Sequence, residues 1–318
     1  MRALVSPISA VARTYGASSG APGIFRRRSA FTSVATVKVE EERQEEDTML
    51  RLEGKNALIT GASTGIGQAI AVRFAQEGAN VAINYRSDPD QAALTEDLVH
   101  QACAAVRGCG GKDMLVQADI AKEEDVKLMF AEVIDGFGSI DILVNNAGIQ
   151  KPAASHDVEL ADFDRVLGVN LRGAFLCARE AIRHFRSRPG GGVILNDSSV
   201  HEIIPKPKYL PYSMSKGGME NLTKTLALEY ASEGIRVNAV GPGAVVTPIN
   251  SAWINNPKAR GEVESHIPMG RAACPEEIAA VFAFLASKDA SYITGQTIFA
   301  CGGLTLYPEF RVAWSSGE

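Results

Sequence analysis

Residues 198–216, SSVHEIIPKPKYLPYSMSK, hold four serines, a histidine, a glutamate, two tyrosines and three lysines. Spacing selects among them. A lysine four residues after a tyrosine on a helix lies on the same face, one turn along. A neighbouring cation stabilises a phenolate, so a phenol whose ordinary pKa is about 10 becomes able to exchange a proton near neutrality. Of the seven tyrosines only Tyr212 has lysine at +4, Lys216; Tyr209 has Ser213 there. Ser199 precedes Tyr212 by thirteen residues and leaves the apolar run GGVILND, where its hydroxyl is placed to hydrogen-bond and orient a reacting oxygen. The chemistry this set supports is proton exchange with an alcohol or carbonyl without a metal. Ser198 is read as a backbone-supporting neighbour. A Ser199–His201 hydrolytic pair is disfavoured because no G-x-S-x-G elbow surrounds the serine and the two lie only two residues apart. His201 and Glu202 are read instead as substrate-loop residues. His100, His156, His184 and His266 show no ligand spacing, and no metal site is expected.

These groups need elements to hold them. From Lys55 onward, apolar runs (KNALIT, NVAINY, MLVQADI, DILVNNAG, GGVILNDSS, IRVNAVGPG, TIFACGG) alternate with segments of helical spacing, among them Gln91–Val106 and Tyr212–Ser232. That alternation predicts an α/β fold: one Rossmann-type, doubly wound, mainly parallel sheet flanked by helices, over residues 53–312.

The first strand runs into Thr60-Gly61-Ala62-Ser63-Thr64-Gly65-Ile66-Gly67. Glycines here permit a tight turn and a close backbone approach to a pyrophosphate, and the following helix N-terminus offers free N–H groups to the phosphates. At the end of the second strand an acid would favour NAD; the chain offers Asn84, Tyr85, Arg86 and Ser87. With Arg86 available for a 2′-phosphate, NADP is admitted beside NAD, the alternative being that Arg86 points into solvent. Asp119, at the end of the third strand, is placed either to reach the adenine edge or to cap the next helix.

The ordered motifs resemble the short-chain dehydrogenase/reductase family. TGASTGIG looks like its cofactor loop, Asn145-Asn146-Ala147-Gly148 like its NNAG segment, Asn170 like its helix asparagine, Ser199, Tyr212 and Lys216 like its serine and YxxxK pair, and Pro242-Gly243 with Thr247 like its PG…T motif. The resemblance implies an NAD(P)-dependent oxidoreductase with Asn170 holding a water in a proton relay from Lys216. It also implies dinucleotide contacts from Gly61, Ser63, Thr64, Gly65, Ile66 and Gly67, then Tyr85, Arg86, Asp119 and Ile120, then Asn146, Ala147 and Gly148. Tyr212, Lys216, Pro242, Gly243, Val245 and Thr247 complete that expectation. Within the family, SSVHE, ALEYASEGIRVNAVGPGA, TPIN, ESHIPMG and GGLTLYPEF look most like glucose 1-dehydrogenases. This implies oxidation of an aldose at C1 and a homotetramer, with the helices around 158–185 and 212–231 at one subunit interface. Substrate contact is expected from Gln150, Ser199, His201 and Tyr212. Gln150 stands where bacterial glucose dehydrogenases carry Glu, Val246 in place of Asn, Cys301 in place of Asp, and IPKPK in place of an apolar IPWP-like loop. The departures bear on the sugar and not on the reaction type. Reduction of a 3-oxoacyl thioester is the rival within the family; a nucleotide-sensing or scaffold protein is the rival outside it.

Composition narrows the partners. Residues 1–39 carry six basic residues and no acid, leaving 26 basic against 37 acidic residues from Glu40 onward. So acidic a body has no surplus cations with which to displace phosphate counterions, and no nucleic acid is expected as a partner. The Arg-, Ser- and Ala-rich leader followed by EEERQEED reads, over residues 1–45, as a transit peptide and an acidic linker. An organelle interior is then the address, plastid before mitochondrion; as a plain disordered tail it leaves the protein in the cytoplasm. Its apolar runs are too short to span a membrane. Five scattered cysteines without a CxxC pair predict neither a disulfide framework nor a zinc site, and a reducing compartment.

Overall fold

The computed structural model describes residues 50–106 and 108–306. The leader, the acidic linker, the end of the 53–312 unit and the last residues of GGLTLYPEF lie outside the described residues. Among the described residues seven strands form one sheet: β1 (Asn56–Ile59), β2 (Asn80–Tyr85), β3 (Asp113–Gln117), β4 (Ile142–Asn145), β5 (Gly192–Asp197), β6 (Ile235–Pro242) and β7 (Thr297–Ala300). Their order is β3-β2-β1-β4-β5-β6-β7, and every neighbouring pair is parallel. The chain winds outward from β1 to β3, then returns to place β4 on the other side of β1. The loops after β1 and β4 therefore diverge and open a crevice at the carboxyl ends of the strands, where open α/β sheets bind ligands.

Parallel strands covered on both faces are apolar throughout, and β1 and β4 are buried at every residue. On one face, α1 (Gly65–Gln76) and α9 (Pro275–Ala286) bring Ile70, Phe74, Phe282 and Leu285 onto Ile59, Leu195 and Val240. On the other, α3 (Glu123–Phe137), α5 (Ala174–Arg186) and α6 (Leu210–Tyr230) bring Met129, Phe130, Phe185 and Ala227 onto Leu58, Leu143, Ile194 and Val237. The remaining helices are α2 (Pro89–Ala104), α4 (Leu160–Leu167), α7 (Ser251–Ile254) and α8 (Pro257–Ser265).

Helix boundaries shift by about a turn or less from expectation. α2 begins at Pro89 because Asp88 accepts the Gln91 N–H at 3.0 Å and proline is tolerated in a first turn. α6 begins at Leu210, with Pro211 in its first turn, so Tyr212 and Lys216 occupy its first two turns. The cysteine expectation needs correction: Cys103 and Cys109 are joined, with Cα atoms 5.5 Å apart. The bridge links the end of α2 to the approach of β3, a proximity made by the fold, as their spacing matches no pairing motif. Cys177, Cys274 and Cys301 are free. No helix among the described residues is long and apolar enough to cross a membrane.

Candidate active site

The loop after β1 is shaped by side chains that its neighbours bury. The Asn84 side-chain carbonyl accepts the Gly61 N–H at 3.1 Å, while Asn146 Nδ2 donates to the carbonyls of Thr60 and Gly61 at 2.8 and 2.9 Å. Thr60 Oγ1 accepts from Asn146 N and Ala147 N at 3.0 and 3.1 Å. Gly61 has φ +60°, and a Cβ there would stand 2.8 Å from Ala147 Cα. Only glycine fits so close an approach of the β1 and β4 loops. At Gly67 a Cβ would meet Asn146 Nδ2 at 2.4 Å and the Gly61 carbonyl at 2.5 Å. Gly67 is not among the residues that line the cavity, and close packing against the loop requires a glycine there. The N-cap of α1, Thr64, makes no capping hydrogen bond and no acid stands in the first turn. The first N–H groups of α1 thus remain available to a bound anion.

This loop walls one side of a cavity of about 610 Å³ at the carboxyl ends of the strands. Arg86, Asp88, Asp119 and Ile120 line its far end. Asp119 lines the cavity; its Oδ1 accepts the Ala121 N–H at 3.0 Å in the turn before α3, whose N-cap is Lys122, so it does not cap that helix. Tyr85 does not line the cavity; Asn84 and Arg86 on either side do, as expected from strand alternation. The middle is formed by Ser63, Thr64, Gly65 and Ile66 facing Asn146, Ala147 and Gly148. Pro242, Gly243, Val245 and Thr247 close the side beneath β6.

Ser199, Tyr212 and Lys216 meet at the other end. Ser199 is buried and its Oγ accepts the His201 N–H at 3.1 Å, which fixes the turn after β5. Its hydroxyl is also paired with Tyr212, pulling the phenol's pKa down, but burial dominates and holds the phenol above its ordinary range, with Asp197 pushing in the same direction. Lys216 Nζ donates to the Asp197 carbonyl at 2.5 Å and lies 5.5 Å from the Tyr212 ring centre. Burial lowers the lysine pKa, while Asp197 and Glu202 pull it back up. The His201 ring meets Tyr212 edge-on at 6.1 Å, and its Nδ1 lies 2.7 Å from the Ile204 carbonyl. Burial lowers its pKa, which favours the neutral ring.

Asn170 does not reach the cavity. It sits in a π-turn, Gly168–Gly173, with its side chain fully engaged: Oδ1 accepts from Ile149 N at 2.9 Å, and Nδ2 donates to the Ile149 carbonyl and to Ser215 Oγ at 2.9 and 3.1 Å. Its side chain ties the loop after β4 to α6.

The family model described as Enoyl-(Acyl carrier protein) reductase matches residues 61–305. The chain is 51% identical over 266 residues to a glucose 1-dehydrogenase of Gluconobacter oxydans, covering 84% of this chain and 97% of that one. It is 49% identical over 260 residues to 3beta-hydroxysteroid dehydrogenase 1 of Eggerthella lenta, covering 82% and 97%. Among solved structures, the angucycline C-6 ketoreductase LanV with bound NADP is similar, with a TM-score of 0.72, 36% identity, and coverage of 80% and 97%. The chain belongs to the short-chain dehydrogenase/reductase family.

As a short-chain dehydrogenase/reductase it is an NAD(P)-dependent oxidoreductase acting on CH–OH groups. The Gly-rich turn, the uncapped start of α1 and the long cavity fit a dinucleotide. At the substrate end of this dehydrogenase, Gln150 and His201 line the cavity as expected, and Gln150 Nε2 donates to the Ile249 carbonyl at 3.1 Å. Glu202 does not line it; its carboxylate accepts the Ser198 hydroxyl behind the turn, and burial raises its pKa. The substrate-loop reading of Glu202 is therefore replaced by a structural one, which also assigns Ser198 its supporting part. Val246 and the buried Cys301 lie off the cavity too, Cys301 because it packs beneath Gly243. Trp253, Val263, His266 and Leu304 also reach the mouth. None was expected in the site: His266 and Leu304 lie in segments quoted only for their resemblance, and the return of the chain to β7 brings them there.

Proposed function

We propose that the enzyme oxidises an aldose at C1, with the reverse reduction running through the same groups. The observation that carries the reading is the meeting of Ser199, Tyr212 and Lys216 at one end of a cavity whose other end is a glycine-rich turn and an uncapped helix start. Bound dinucleotide supplies the hydride acceptor. Ser199 hydrogen-bonds the substrate oxygen and orients it. Tyr212 takes the hydroxyl proton as C1 loses its hydride, and Lys216, as a cation, lowers the cost of the phenolate. Asn170 serves as a positioning residue for α6. The similarity to a glucose 1-dehydrogenase, and polar Gln150 and His201 at the mouth, support the sugar. A second reading, a larger apolar alcohol, is favoured by Ile249, Trp253, Val263 and Leu304 on the outer wall and by the similarity to a hydroxysteroid dehydrogenase.

NADP is proposed as the preferred cofactor, because Arg86 lines the adenosine end. A homotetramer is proposed from the exposed Leu160, Phe175, Met214 and Leu228 on α4, α5 and α6, and import into an organelle, plastid first, from the leader's composition. Steady-state turnover of glucose, other aldoses, a 3β-hydroxysteroid and an acetoacetyl thioester with each cofactor decides the substrate. Brisk thioester or steroid turnover with none on aldoses refutes the sugar reading.

A further inference from the structure

Asp197, the last residue of β5, is 9% exposed. On this strand Asn196 turns toward α6, where it donates to Thr223 Oγ1 at 2.8 Å. Asp197 therefore turns to the other face of the sheet, where it lines the cavity. Its main-chain carbonyl holds Lys216 Nζ, yet Oδ1 of its carboxyl is buried without a hydrogen-bond partner among the described residues. A buried polar atom left unpaired is rare and needs a physical reason. The proton and orienting roles of Ser199, Tyr212 and Lys216 leave this carboxyl unused.

We propose that Asp197 is the residue through which this site distinguishes the oxidised, cationic nicotinamide ring from the reduced, neutral one. The inference rests on the dinucleotide reading of the cavity. A hydride passes only between atoms in contact, so the ring must stand against the carbon whose oxygen Ser199 and Tyr212 hold. Asp197 lines the same cavity two residues from Ser199 and is bonded through its carbonyl to Lys216. In a dry pocket a carboxylate attracts a ring with a full positive charge and gains nothing comparable from a neutral one.

The group is poised to change charge. Burial raises its pKa to about 7, with Lys216 drawing it down. A proton on Asp197 and a cationic ring then compete, so preference for the oxidised dinucleotide grows as pH rises. The other groups facing this end can be named. From α6 come Lys216, and Tyr212, whose pKa lies well above this range. From the turn after β5 come Glu202, acting on Lys216, His201, whose pKa burial lowers, and Lys206, whose pKa burial also lowers. The loop Asn145–Gly148 and the segment Val240–Gly243 bring no titratable side chain.

The test is equilibrium binding of oxidised and reduced dinucleotide to the full-length protein and to Asp197→Asn. The adenosine half is common to both forms, so its own titrations cancel in the ratio of the two Kd values. Between about pH 6 and about pH 8.5 the ratio Kd(reduced)/Kd(oxidised) should rise about fivefold in the native protein, as a one-unit displacement of the carboxyl pKa requires, and stay within about twofold in Asp197→Asn. Proton release on adding oxidised dinucleotide to weakly buffered native protein near pH 7, without release on adding the reduced form, reads the same linkage with no variant. A ratio that ignores pH in the native protein overturns the proposal. So does an equal pH response in Asp197→Asn, which keeps Tyr212, Lys216, Glu202 and His201; the dehydrogenase reading survives both results. Failure of either dinucleotide to bind at any pH overturns both.

Discussion

Replacing Lys216 by methionine keeps the length of the side chain and removes its charge. Lys216 Nζ lies 5.5 Å from the centre of the Tyr212 ring; the lysine is buried and the tyrosine half-buried. Taking that distance as the charge separation and an effective dielectric of about 20, the ammonium stabilises a phenolate by about 3 kcal/mol, or about two pKa units. Burial already holds Tyr212 above its ordinary range, so the loss falls on a base that is scarce at neutral pH. In Lys216→Met, kcat for alcohol oxidation near pH 7 should drop about a hundredfold, and the rising limb of the pH–rate profile should move up by about two units. The assay is kcat and kcat/KM from about pH 6 to about pH 10 with the same alcohol and saturating dinucleotide. Both phenol pKa values then lie above the assayed range, so kcat should climb with pH in the variant as in the native protein, with the deficit held near a hundredfold. A variant profile that is flat in pH refutes the reasoning, since it reports a misplaced helix in place of a lost charge. A loss under about threefold refutes it too.

Other consequences can be checked separately. Gly67→Ala should weaken dinucleotide binding and cost about 1–3 kcal/mol of stability in denaturant titrations, because the new Cβ meets Asn146 Nδ2 and the Gly61 carbonyl. Arg86→Ala should raise the Kd of NADP by about tenfold or more and leave that of NAD within about twofold, measured by equilibrium titration. Asp197 has a folded pKa of about 7 against 3.8 for the free group. The folded protein thus keeps a proton that the unfolded chain releases, and stability from this group is whole below about pH 4 and declines toward pH 7. Thermal melts of Asp197→Asn should show that decline removed.

Much of this was legible because the chemistry depends on local spacing. Tyr212 and Lys216 are one helical turn apart, so i and i+4 placed them together before any fold was known. Gly61, Ser63, Thr64 and Gly65 lie in a turn whose position between strand and helix fixes its use, and the alternation of apolar runs determined the sheet. What was not legible depends on contacts between distant segments. Asp197 reads as one more strand residue until Lys216 and the β6 turn bury it. Gly67 and Asn170 belong to the right motifs, but packing turns the first toward Asn146 and engages the second with Ile149 and Ser215. Glu202 sits in the substrate loop by sequence and behind it in space, because Ser198 captures its carboxylate. Trp253 and His266 reach the mouth through a return of the chain that no periodicity announces.

The central claim is that Tyr212 exchanges the substrate proton. Tyr212→Phe removes one oxygen and leaves the ring packed against His201. The account predicts that turnover falls by about 10²–10⁴-fold at every pH while dinucleotide affinity stays within about threefold. Turnover that persists in Tyr212→Phe, in a preparation of the native protein otherwise active, contradicts it.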